Sequence, residues 1–346
     1  MTPSEASQTY DYASAVLCHR RSANRSGQST TSRTWRASFR SLSDKDEYAA
    51  NLLLLWTFID ANDLWHGLLQ ETADRVAGAP KWLCHLAGSE VKFRAALSIL
   101  AEFSLVQERD CGSFTLHPGV RSWVATLLDS QQRKRLARLA TLMVGLTVPA
   151  ETAADCFSLQ KRLLPHALRC ADELDCVHGD EELFDTAAKT AVRNLGELFA
   201  DLGFPGKAER MYTLILDGPC AEQDEELVYS TKQNLACLYA QADRFAEADS
   251  TFQEALSSCE GALGPHHALT LTIAHNYGIL YAIQGYLNMA KSMYDRALRG
   301  RVRNSGVDDP SALDTICCLG DLTQSGAWAE PSSHTQHNTQ LGHAVS

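Results

Sequence analysis

Asn194-Leu195-Gly196-x-x-Phe199, Asn234-Leu235-Ala236-x-x-Tyr239 and Asn276-Tyr277-Gly278-x-x-Tyr281 are one phrase written three times. Nine residues after each aromatic stands an alanine: Ala208, Ala248 or Ala290. Thirteen residues after it stands Tyr212, Phe252 or Tyr294, and sixteen after it Ile215, Ala255 or Ala297. The anchors Phe199, Tyr239 and Tyr281 are 40 and then 42 residues apart. A period of that length, with small residues at two fixed offsets, predicts a solenoid of helical hairpins. One helix carries Leu or Tyr, Gly or Ala, and the aromatic; the second carries Ala, an aromatic, and Ala or Ile. Only Gly and Ala let two helix backbones approach closely, so the small residues mark where the paired helices touch. An ordinary amphipathic bundle has no reason to agree at six offsets.

The repeats resemble the tetratricopeptide repeat in the long-period form of kinesin light chains and many fungal signalling proteins. Asn-Leu-Ala-x-Leu-Tyr at 234–239 and Asn-Tyr-Gly-Ile-Leu-Tyr at 276–281 are close to that pattern. The inter-repeat Leu263-Gly264-Pro265-His266-His267 is similar too, with Ala268 where that loop usually has Pro.

Working outward, the 346 residues leave room for two or three domains and a substantial core. Hydrophobic residues make up 45%, and the mean hydropathy is -0.20. The longest apolar run, Leu235–Ala240, is far too short to span a membrane, and Met1–Arg40 holds no apolar signal core. We therefore expect a soluble, cytoplasmic chain. Its eleven cysteines are scattered through helical patterns without any C-x-x-C, which reads as reduced thiols rather than a disulfide framework. The closest approach to clustered zinc ligands is Cys170, Cys176 and His178, too loose to predict a metal. His334, His337 and His343 fall in a polar tail. No metal or other cofactor is expected. A net charge of -11 argues against a general nucleic-acid binder.

Residues 1–40 are polar, with six Arg against Glu5 and Asp11, and read as a flexible lead in which order begins near Trp35. Residues 41–129 read as a winged-helix domain. Its expected elements are a helix over Glu47–Ile59 and a short helix near Asp63–Gln70, capped by Asp63 or Asn62. A loop follows at Ala77–Pro80, then a helix capped by Ser89 and running to about Phe103. Strands at Leu105–Gln107 and Phe114–Leu116 flank a turn at Asp110–Ser113. A closing helix, Gly119–Leu128, has Pro118 in its first turn.

This region is similar to the C-terminal part of the NB-ARC family, the tail of the NTPase module and its winged helix, as found in fungal NOD-like receptors. The likeness rests on Thr34-Trp35-x-x-Ser38-Phe39, Ala50–Trp56, Asp63-Leu64-Trp65, Phe114–Pro118, Trp123 and Gln160–His166. In that family the module leads into repeats of the present kind. Leu116-His117-Pro118 aligns with the family's Met-His-Asp motif, whose histidine contacts bound ADP. The resemblance thus makes His117 a vestigial nucleotide sensor. Pro118 departs from the motif, and Arg121-Ser122 replace a common His-Asp. No G-x-x-x-x-G-K-[ST] loop occurs to surround phosphates with backbone amides and a lysine, and no Walker B strand precedes the winged helix. Nucleotide binding would thus require an upstream NTPase core. The chain reads as the C-terminal part of a receptor, and His117 as structural. DNA readout by the winged helix is disfavoured, because Asp44–Asp129 carries twelve acids against seven bases.

Residues 130–182 read as a helical connector that opens on a basic run, Arg133, Lys134, Arg135 and Arg138, taken as a solvated face. Residues 183–323 form the repeats, with Cys318-Leu319-Gly320 opening a fourth that stops mid-hairpin and exposes Leu319 and Leu322. Residues 324–346 are expected to be disordered. The fold class is mainly α: a winged helix, then an α-α superhelix of about three hairpins and a truncated fourth.

With Leu195, Leu235 and Tyr277 at position 7 of each repeat, positions 4, 7, 8 and 11 face the partner helix. Positions 2, 5, 6, 9, 12 and 13 line the opposite, concave face. Asn194, Asn234 and Asn276 at position 6 can each donate to a peptide carbonyl and accept from a peptide N–H. The alternative is that they tie neighbouring hairpins together. Flanking candidates are Arg193, Glu197, Asp201, Gln233, Cys237, Gln241, His275 and Ile279. In kinesin light chains Asn at this position holds peptide backbone, so the resemblance implies the same here. No nucleophile–base constellation is apparent, so the expected function is non-enzymatic binding of a protein or extended peptide, with no nucleic acid or membrane partner. The alternative is a winged-helix transcription regulator with a repeat sensor.

Overall fold

The computed structural model describes residues 30–76, 78–109, 114–149, 156–174, 184–218 and 224–324. The expected turn at 110–113, the Cys176 and His178 pair and the polar tail from 325 lie outside the described residues, as does most of the lead. Fifteen helices and one two-stranded hairpin form among the described residues. The chain divides into two compact units, 1–227 and 228–346.

The first unit opens on α1 (Thr30–Lys45), which begins inside the segment expected to be flexible. Phe39 and Leu42 are buried, and Trp35 and Phe39 both lie 6.0 Å from the Trp123 ring. Two aromatics docked on a third order a stretch whose composition alone is polar. In α2 (Glu47–Trp56) the Asp46 carboxylate caps Ala49 N–H at 2.9 Å, and every residue from Ala49 to Trp56 is buried. The third helix, α3 (Gly67–Arg75), starts later than expected. Asp63 does not cap it: its φ is 57°, and its carboxylate instead holds Arg162 at 2.6 and 2.7 Å. A helix not foreseen, α4 (Lys81–Ala87), buries Trp82, Leu83 and Leu86. Ser89 sits at the N-terminus of α5 (Glu90–Glu102) but makes no side-chain cap.

The strands β1 (Val106–Glu108) and β2 (Phe114–Leu116) pair antiparallel, Val106 with Leu116 and Glu108 with Phe114. Next, α6 (Pro118–Ala125) is capped by His117, and α7 (Ser130–Leu146) by a reciprocal Asp129–Gln132 box. One more helix than expected precedes the hairpin.

The basic run of α7 does not face solvent alone. Arg133 forks onto Glu173 of α8 (Cys156–Glu173) at 2.8–3.1 Å, and Arg138 reaches Asp185 at 2.5 Å. The Arg133 fork is a geometry a guanidinium makes and an ammonium does not. Helix α7 also meets α9 (Thr186–Asp201) backbone to backbone: a Cβ on Gly145 would collide with the Ala191 main chain. The first repeat hairpin, α9 with α10 (Pro205–Leu216), thereby packs onto the connector and belongs to the first unit. Lys189 and Asp224 form an ion pair at 2.5 Å, 5% and 2% exposed, and Thr186 also donates to Asp224.

The second unit holds most of α11 (Glu225–Gln241), then α12 (Phe245–Leu263), α13 (Ala268–Ile283), α14 (Leu287–Ser305) and α15 (Pro310–Gln324). The repeated small residues lie where the sequence placed them. A Cβ on Gly278 would stand 2.7 Å from the Tyr294 ring, as one on Gly196 in the first unit would stand 2.5 Å from Tyr212. Phe252 stacks on Tyr277 at 5.3 Å, Tyr277 on Tyr281 at 4.4 Å, and the Tyr277 hydroxyl donates to Asp249 at 2.7 Å. The last helix buries Leu322, contrary to expectation, because that residue joins the core around Tyr294. Its exposed apolar residues are instead Leu313 and Ile316, at 46% and 39%. No described helix is long and apolar enough to cross a membrane.

Candidate binding face of the repeats

The position-6 asparagines do not share one fate. In the first unit Asn194 donates from Nδ2 to the Gly145 carbonyl at 3.0 Å, and its Oδ1 accepts from Arg193 at 3.2 Å. Arg193 also lies 3.6 Å from Glu197, and Asp201 accepts from Gln160 Nε2 at 2.7 Å. That face of α9 is therefore engaged by α7 and α8. The close approach permitted by Gly145 brings its carbonyl within reach of Asn194.

In the second unit Asn234 and Asn276 are half-buried on α11 and α13, and Asn276 makes no side-chain hydrogen bond among the described residues. Beside Asn234 lies Cys237, whose thiol is pushed up to about 11 by burial and so stays protonated. Gln233 is half-buried, with its Oε1 buried and lacking a hydrogen-bond partner, and Gln241 is exposed. On α13, Ile279 is exposed, and Ile283, at the equivalent of Gln241, is 59% exposed. Sequence reasoning omitted Ile283, although position 13 was already on its concave face. Two amides beside two exposed isoleucines suit an extended chain with apolar side chains.

His275 departs from expectation. It is 4% exposed, covered by α15, with Nδ1 3.3 Å from Thr315 Oγ1 and Nε2 3.1 Å from Asp314. Burial, then the Arg301 charge, lowers its pKa. His117 is exposed beside Trp35, and its Nδ1 accepts the Gly119 N–H at 3.1 Å, a helix cap.

Residues 227–301 match the tetratricopeptide repeat family. That segment covers α11 to α14 almost entirely. No curated protein matches the chain. Among solved structures, BtubC (BKLC) from P. vanneervenii is similar at 20% identity and a TM-score of 0.43. The match covers 57% of this chain and 76% of that one. A second match is a signal transduction ATPase with numerous domains, with a tetratricopeptide repeat sensor, from Pyrococcus horikoshii. It is 12% identical at a TM-score of 0.38 and covers 94% of this chain. This chain spans 51% of the length of that ATPase.

Proposed function

We propose that this chain is a non-enzymatic interaction module that holds an extended polypeptide segment on the second unit, along Asn234 and Asn276. The observation that carries the reading is Asn276 beside the exposed Ile279 and Ile283 on one face of α13, with Asn234 at the equivalent place on α11. The amides take the ligand's backbone, and Ile279 and Ile283 select apolar side chains. His275 takes no part, and Asn194, already bonded to Gly145, is a hairpin tie.

Each peptide hydrogen bond contributes on the order of 1 kcal/mol. Asn234→Ala alone should therefore weaken a peptide selected from a displayed library several-fold, and the double change with Asn276→Ala considerably more, at unchanged melting temperature. A fall of several degrees with capture retained would make these asparagines ties as well.

The first unit is read as the winged-helix end of an NB-ARC-type module, and the whole as part of a fungal NOD-like signalling receptor acting in the cytoplasm. The order of helices, hairpin and repeats supports this.

A further inference from the structure

The cluster of His275, Asp314 and Cys318 is unlike the rest of the repeat surface. Asp314 and Cys318 are one helical turn apart on α15, so their side chains share a face, and that face meets His275 on α13. The donor atoms of the three lie within 4.8 Å of one another.

Both ring nitrogens of His275 face polar partners. The Thr315 hydroxyl has one proton, which goes to the Ser311 carbonyl at 2.9 Å, while its oxygen accepts from Arg301 at 2.7 Å. His275 Nδ1 lies 3.3 Å from the same hydroxyl, and Nδ1–H donates there in one of the two neutral tautomers. In that tautomer Nε2 presents a buried lone pair towards the Asp314 carboxylate 3.1 Å away; in the other, Nε2–H donates to it. The lone-pair form, with nitrogen, carboxylate and sulfur converging, is the one a metal ion selects.

We propose that His275 Nε2, Asp314 and Cys318 Sγ bind a divalent transition metal of the zinc class, clamping α15 to α13. Nitrogen, sulfur and carboxylate oxygen are all zinc donors, and three protein ligands with water in the fourth place make a tetrahedral site. Zinc bonds of about 2.0–2.3 Å set its donors about 3.3–3.6 Å apart, so the His275–Asp314 pair is already close to distance. Cys318 must close by roughly 1 Å, which rotation of two partly exposed side chains can supply.

The surroundings orient the ligands. Thr315 lies against the imidazole, and Cys318 packs against the core cluster that contains Tyr294. Burial and nearby carboxylates keep the free thiol protonated. Metal binding thus exchanges one S–H proton, released to solvent, for one S–metal bond. Arg301 opposes the incoming charge, and the carboxylate and thiolate together outweigh it.

The test is a titration of the metal-stripped full chain with Co(II), followed by Zn(II), and does not depend on the peptide-binding reading. A thiolate-to-cobalt band should rise to saturation, disappear on zinc addition, and be missing in Cys318→Ser. Asp314→Asn, an exposed change that leaves the core intact, should weaken binding by at least about 10-fold. Zinc should raise the melting temperature of the wild type and not of Cys318→Ser. An equal cobalt band in Cys318→Ser would overturn the proposal. So would nitrogen NMR showing the His275 proton on Nε2 in the presence of equimolar zinc.

Discussion

At Gly278 a single methyl decides whether the repeat closes. Its Cβ would press into the Tyr294 ring, which is itself buried, so Gly278→Val should destabilise the second unit by about 1–3 kcal/mol, read by thermal denaturation. Gly320 holds the same position in the fourth repeat, yet a Cβ there meets nothing within 4 Å. Gly320→Ala should therefore stabilise α15 by about 0.5–1 kcal/mol through helix propensity. His166 gives a pH counterpart. Burial drops its pKa to about 4 from 6.5, so the fold holds it neutral against Trp65. A neutral buried base contributes its stability in full above pH 6.5 and loses it as pH falls towards 4, because the unfolded state takes up the proton first. The melting temperature should fall through that window, and His166→Gln should flatten the slope. The spacing of Gly, aromatic and Ala was fully legible in the sequence. The fates of the three asparagines were not, because Asn194 meets a carbonyl 49 residues away.

Among elements, the first hairpin and the turn at Asp224 that follows it depend on a buried charge pair. Asp224→Ala would strand the Lys189 ammonium inside, costing about 3–5 kcal/mol, whereas replacing both by Met and Leu should recover most of that. Urea denaturation of the single and double variants checks it. The long helices were legible because each repeats an apolar face over several turns. Two were not. In α1 Phe39 and Leu42 are the buried residues among those described, in a run of Ser, Thr and Arg, and α4 is too short for periodicity to show. The arginines of α7 were misread for a different reason: their carboxylate partners, Glu173 and Asp185, are distant in the chain. The His275 cluster was equally hidden, since its members come from two repeats.

At the scale of the molecule, the sequence holds no G-x-x-x-x-G-K-[ST] loop, so no tight nucleotide binding is expected of the chain alone. Calorimetric titration with ADP should give no heat of tight binding, and micromolar affinity lost in His117→Ala would contradict the structural role of that residue. Proteolysis should first cut within roughly Gly306–Trp328, since α15 is the last described helix and leaves Leu313 and Ile316 exposed. Protection there, with early cleavage inside Leu235–Leu298, would count against the assignment of repeats. The outward face of α15, with Leu313 and Ile316 exposed, repeats the receiving surface that α13 offers α14. Because each repeat is stabilised by its nearest neighbours, that surface is an addition point: a duplicated α14 sequence spliced after Gln324 would meet a ready-made seat. Lengthening this array by gene duplication, or by design, needs no rebuilding of what is already folded.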